Sequence, residues 1–184
     1  MTQQANTPLY DVLIVGAGIS GIGLGIRLRE AGFDNFVILE KAADLGGTWR
    51  DNTYPGCACD VPSALYSYSF AQKPDWTRAF AGQAEFLDYV RDTAERYDIP
   101  GSIRFNQAVE RAQWRENQNL WEVQTGDQLY RARTVVACSG YLHEPIIPAI
   151  PGLENFAGKL FHSSRWDHDH DLTGERVAVV GTGA

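Results

Sequence analysis

A short apolar run, Val12-Leu13-Ile14-Val15, leads straight into Gly16-Ala17-Gly18-Ile19-Ser20-Gly21 and then into residues spaced as in a helix. β-Branching suits a buried strand, and the glycines fit a G-x-G-x-x-G turn between strand and helix. In such a turn Gly16 allows the tight bend, Gly18 lets backbone approach a pyrophosphate, and Gly21 lets the helix pack on the strand. The helix start offers unpaired N–H groups and a positive dipole end to phosphates. A second apolar strand at 35–39 ends in Glu40, which lies where an acid hydrogen-bonds an adenosine ribose, about twenty residues on. A glycine-rich turn without a ligand is the simpler alternative. Strand, turn, helix and distal acid together favour a dinucleotide site.

The chain has 184 residues, room for one domain or slightly more. At 44% hydrophobic and 21% charged it has a globular rather than a disordered composition. A net charge of −7 argues against nucleic acid or an anionic membrane as the main partner. Cys57, Cys59 and Cys138 form neither an even disulfide framework nor a zinc pattern, and fit thiols in a reducing cytoplasm. Residues 1–8 have no apolar signal-peptide core, and no apolar run reaches membrane-spanning length. The chain reads as cytoplasmic.

Helical spacing covers 19–31, with Gly32 as a stop, and again 83–97, ended by Pro100-Gly101. Between them, 41–70 lacks periodicity but is rich in turn formers and aromatics, which points to a functional loop rather than a floppy linker. Short strands are expected at 103–105, 108–115, 120–124 and 128–133 as a β-meander, then a buried strand at 134–137 ending at Ser139-Gly140. A proline-rich connector spans 141–151. A further buried strand is expected at 176–180, followed by Gly181-Thr182-Gly183, which repeats the opening motif. This pattern predicts a piece of a longer protein, ending inside a second nucleotide-binding unit. Two such units imply two cofactors, or one cofactor and a nucleotide co-substrate.

Four stretches make the chain resemble the N-terminal part of class B flavoprotein monooxygenases, most closely type I Baeyer–Villiger monooxygenases. They are Gly16 to Gly21 with Glu40; Gly46-Gly47-Thr48-Trp49-Arg50 continuing to Tyr54-Pro55-Gly56-Cys57-Ala58-Cys59-Asp60; Phe156 to Asp167; and the motif begun at Gly181. The third matches the signature F-x-G-x-x-x-H-x-x-x-W-[P/D] through Phe156, Gly158, His162, Trp166 and Asp167. Related nitrogen- and sulfur-oxygenating enzymes carry another aromatic at the Trp166 position, so Trp166-Asp167 favours the Baeyer–Villiger branch.

The resemblance implies an α/β chain with a Rossmann-like FAD-binding domain of parallel sheet, helices and β-meander over 1–140. A linker with the signature would follow at 141–174, then the start of a second Rossmann-like domain for NADPH at 175–184. It implies FAD reduced by NADPH, which then reacts with O2 to a peroxide at the flavin C4a position. That species inserts oxygen next to a ketone carbonyl, giving an ester or lactone. By the same resemblance Gly16, Gly18, Ser20 and Gly21 line the FAD pyrophosphate, and Glu40 holds the ribose. Gly47, Thr48, Trp49, Arg50, Asp51, Cys59 and Tyr66 lie along the flavin, and the backbone of Val109 meets the adenine. Asp60 is the acid on the flavin and NADP side. His162 and Trp166 couple nucleotide binding to domain movement. The catalytic arginine of the family would lie beyond Ala184, so a piece ending there would lack turnover.

Other readings stand beside these. Oxygenation at nitrogen or sulfur, or a non-catalytic FAD-binding module, would use the same cofactor site. A disulfide oxidoreductase would need a C-x-x-x-x-C-like pair, which Cys57 and Cys59 do not supply. Cys57-Ala58-Cys59 reads as two thiols rather than a metal site, and His168-Asp169-His170-Asp171 as a solvated loop, so no metal is expected. Asp60 before Val61-Pro62 also suits a turn. Trp114 and Trp121 are placed to meet across a hairpin.

Overall fold

The computed structural model describes residues 7–181. Its frame is one six-stranded sheet of order β3-β2-β1-β6-β5-β4. The strands are β1 (Leu9–Val15), β2 (Phe36–Leu39), β3 (Ile103–Arg104), β4 (Arg111–Arg115), β5 (Leu120–Thr125) and β6 (Gln128–Ala137). The pairs β3–β2, β2–β1 and β1–β6 are parallel, whereas β6–β5 and β5–β4 are antiparallel.

The two-residue period of a strand sorts the apolar side chains onto opposite faces. Ile14, Phe36 and Ile38 pack with Ile22 and Ile26 of α1 (Ile19–Glu30) and with Phe86, Val90 and Ala94 of α3 (Gln83–Arg96). Leu13, Val37 and Leu39 face the other way, onto Val123 and Ala132. All four residues of β2 are buried, as expected of a parallel strand covered on both sides. A β-carbon on Gly25 would sit only 3.1 Å from Ile38 Cδ1, so glycine sets how closely α1 lies on β2. Arg29 folds back and donates to Asp98 Oδ2 (2.9 Å) and Ser102 Oγ (3.1 Å), tying α1 to the end of α3.

The loop 41–82 contains one short helix, α2 (Thr48–Asp51), and is held by aromatic stacking. Trp49 stacks on Phe86 with centroids 4.6 Å apart, and Trp76 stacks on the same ring at 5.2 Å. Buried Ser63 links two arms of the loop, donating its N–H to the Ala79 carbonyl and accepting at Oγ from the Ala81 N–H. Such a loop is ordered by its own side chains.

Several expectations need correction. The strand at 103–105 is not part of the meander; it extends the parallel edge beside β2. The strand expected from 108 begins only at Arg111. The segments 128–133 and 134–137 form one continuous strand, whose first half pairs with β5 and whose second half pairs with β1. Its second half is not buried, since Thr134 and Ala137 are exposed. Residues 176–180 form no strand and stand exposed, Val179 at 85%. A strand needs a neighbour for its N–H and C=O groups, and no described segment pairs with this one. Trp114 and Trp121 do meet across the β4–β5 hairpin, edge to face at 5.7 Å. Among the described residues no helix is long and apolar enough to cross a membrane.

Candidate dinucleotide site

Parallel strands of this topology end on one side, and a cleft of about 310 Å³ opens there at the ends of β1, β2 and β6. Crevices at strand carboxyl ends are where open α/β sheets bind ligands. Gly16, Gly18 and Ser20 line it from the turn, Glu40 from the end of β2, and Gly47, Thr48, Trp49, Arg50, Asp51 and Tyr66 from the long loop. Val109 and Gln107 close one side, and Ser139, Gly140, His143 and Glu144 another. A single cleft thus gathers residues as far apart in sequence as Val15 and Glu144.

Two positions of the turn require glycine. Gly16 has φ of +103°, and a β-carbon there would lie 2.7 Å from the Cys138 carbonyl oxygen. A β-carbon on Gly21 would lie 1.9 Å from the Gly16 carbonyl oxygen, so Gly21 supports the turn from behind and does not line the cleft. Gly18 is the N-cap residue of helix α1, which has no side-chain cap and no acidic residue in its first turn. Its first N–H groups are thus left for an anion.

Glu40 is 4% exposed and its carboxylate organises the region. Oε2 accepts from the Ala17 N–H (2.8 Å), while Oε1 accepts from the Ala42 N–H (3.0 Å) and from Arg50 Nη1 (3.2 Å). Arg50 also donates to both carboxylate oxygens of Asp51, at 2.8 and 3.1 Å. Burial disfavours the Arg50 cation, but Asp51 and Glu40 together hold its proton more firmly than usual. A carboxylate has about four lone-pair sites, so Glu40 retains capacity for one more donor such as a ribose hydroxyl. Trp49 is buried, and its indole N–H has no partner among the described residues. An uncapped helix start, a glycine cradle, an acid with acceptor capacity and an orphaned donor all suit a polar, anionic dinucleotide. Burial pushes the Tyr66 phenol and the Cys138 thiol up, so both stay protonated at neutral pH.

Other expected site residues lie elsewhere. Cys59 is buried behind the loop, its N–H donating to the Ala81 carbonyl, and neither Cys59 nor the exposed Asp60 lines the cleft. The signature residues form a local knot apart from it. His162 caps a short 3-10 turn by accepting from the Ser164 N–H (3.1 Å), Trp166 meets Phe161 edge to face, and Lys159 pairs with Asp167. The exposed Phe156 ring covers Gly158. His168 joins this segment to the long loop through the Thr53 hydroxyl (2.8 Å). Gly181 is exposed, and Gly183 lies outside the described residues. Lys41, Gln107, His143 and Glu144 line the cleft although no sequence motif marks them.

The family model described as pyridine nucleotide-disulphide oxidoreductase matches residues 13–184. The chain belongs to this family. It is 50% identical, over 94% of its length, to a Baeyer–Villiger monooxygenase of Streptomyces coelicolor. It spans about a third (33%) of that relative. A solved structure described as an OTEMO complex with FAD and NADP superposes with a TM-score of 0.86 at 36% identity, covering 96% of this chain and 35% of the other. A cyclohexanone monooxygenase bound to epsilon-caprolactone does so with a TM-score of 0.85 at 36% identity, over 95% of this chain and 35% of that one. The similarity to Baeyer–Villiger monooxygenases carried by short motifs therefore extends across the chain. Despite the family's name, Cys57, Cys59 and Cys138 are all free thiols.

Proposed function

We propose that this chain is the FAD-holding part of a Baeyer–Villiger monooxygenase, which uses NADPH and O2 to convert a ketone into an ester or lactone. The observation that carries the reading is the cleft itself: a glycine turn, an uncapped helix start and a buried ribose-type acid meet at one sheet end. They meet in a chain half identical to a Baeyer–Villiger monooxygenase. FAD, when bound, supplies the oxygen-activating chemistry. The protein groups bind, orient and exclude water. Gly16, Gly18, Ser20 and the first turn of α1, backed by Gly21, take the pyrophosphate. Glu40, steadied by Arg50, takes the ribose, and Val109 meets the adenine. Gly47, Thr48, Trp49, Asp51 and Tyr66 line the ring system, and the apolar faces of Trp49 and Tyr66 keep water out.

We assign Asp60 to the NADP side of the flavin, working from the exposed part of the loop with Cys59 as its buried anchor. His162 and Trp166 act as the coupling between nucleotide binding and domain movement. The chain divides into an FAD-binding part at 1–140, a linker at 141–174 and the start of an NADP-binding domain at 175–184, to which Gly181 and Gly183 belong. A cytoplasmic setting suits its three thiols.

The test uses the full-length protein that carries this chain. Its flavin spectrum is recorded, and NADPH oxidation is followed with cyclohexanone, phenylacetone and a thioether. Ketone-stimulated oxidation with ester or lactone as product is the expected outcome. Oxidation that ignores ketones and yields an S-oxide would move the protein to the heteroatom-oxygenating enzymes, and absence of bound flavin would defeat the reading at its root.

A further inference from the structure

Gln107 lines the cleft beside Glu40 and Val109, on the stretch between β3 and β4. Its N–H donates to the Glu40 carbonyl (2.8 Å), which fixes its backbone to the end of β2. Its side-chain oxygen Oε1 receives the Thr125 hydroxyl at 2.6 Å and the Tyr130 hydroxyl at 3.2 Å. Thr125 is buried, and burial keeps the Tyr130 phenol protonated. Neither hydroxyl has another partner among the described residues, and the buried Thr125 hydroxyl needs Gln107 as the acceptor for its proton.

An amide nitrogen offers no lone pair to a hydroxyl proton, whereas an amide oxygen offers two. The buried Thr125 hydroxyl therefore decides which way the carboxamide stands, with the half-buried Tyr130 hydroxyl donating to the same oxygen, a choice that usually rests on the surrounding network. The oxygen is used by strands β5 and β6, and Nε2 is left over. Among the described residues it has no partner, and its residue forms part of the cleft wall. The end of β2, where Gln107 is anchored, is the ribose end of a dinucleotide crevice.

We propose that Gln107 is a specificity residue for the adenosine half of the bound dinucleotide, its Nε2 donating to an acceptor on that half. The sheet's own hydroxyls preset the donor, so no rotamer search is needed at binding. This rests on the dinucleotide reading of the cleft, and the test separates the two.

Full-length protein stripped of flavin is titrated with FAD, with ADP and with FMN, which lacks the adenosine. Gln107→Glu keeps the acceptor oxygens for Thr125 and Tyr130 but removes the donors. It should weaken FAD and ADP by about ten-fold or more and leave FMN unchanged, with little change in the unfolding midpoint of the apo-protein. Gln107→Met removes acceptor and donors together. It should lower the unfolding midpoint and reproduce the loss of preference for FAD over FMN. Equal effects on FAD and FMN in Gln107→Glu, or none, would overturn the proposal while leaving the dinucleotide site standing. Failure of the unmutated protein to bind either FAD or ADP would overturn the site and this role together.

Discussion

At the scale of single residues, the glycine turn is the least forgiving part of the molecule. Gly21 has the Gly16 carbonyl oxygen at 1.9 Å from where a β-carbon would stand, and that oxygen belongs to backbone that cannot swing aside. Gly21→Ala should therefore cost at least about 2 kcal/mol of stability, by displacing α1 from the turn. Urea unfolding checks this, and an unchanged midpoint would mean the turn relaxes more freely than its contacts suggest. Glu40 illustrates the opposite case, a residue whose surroundings rather than whose type matter. Sequence placed it at the right distance from the glycines, but its three protein donors, including Arg50 ten positions on, come from folding. Gln107 was not legible at all. Its meaning lies in two hydroxyls 18 and 23 residues away on other strands, and no local pattern records them.

At the scale of elements, the connector after β6 turns at Gly140 and reaches back over the cleft. Lys41 holds it there, donating to the His143 carbonyl (3.1 Å) and to Glu144 Oε1 (3.0 Å). The hydrogen bond from Lys41 keeps the Glu144 carboxyl below its usual range. A depressed carboxyl pKa contributes its stabilisation above the unfolded value and loses it as pH falls through the folded one. The clasp should thus be closed at neutral pH and open only in acid, below the ordinary glutamate range. Glu144→Gln should speed hydrogen exchange or proteolysis at 140–144 several-fold at pH 7, with no further acceleration from acid. Because the pair is exposed, high salt should mimic the variant and the global unfolding midpoint should stay put. Equal exchange in variant and wild type at pH 7 would show that the clasp carries no load. The meander shows how elements can be read singly and still be joined wrongly. Turn residues at 117–119 and 126–127 mark the hairpins well, yet nothing local says that 128–137 is a single strand shared by two pairings.

At the scale of the whole molecule, core and cleft are one construction. Phe86 is fully buried between Trp49, which lines the cleft, and Trp76, which does not. Phe86→Ala should cost about 3–5 kcal/mol and free the Trp49 indole. The prediction is a lower unfolding midpoint together with altered tryptophan fluorescence and weaker flavin retention. A stability loss with flavin retention untouched would uncouple the two. Local sequence determined the strand–turn–helix unit, the helix at 83–97, the acid after β2 and the order of the long loop. Each depends on neighbours within a turn or a strand, or on side chains that must be buried somewhere. Tertiary structure decided the edge position of β3, the double role of β6 and the orientation of Gln107. Those depend on which distant segment supplies a hydrogen-bond partner, and a partner far along the chain leaves no trace in the periodicity of the segment it completes.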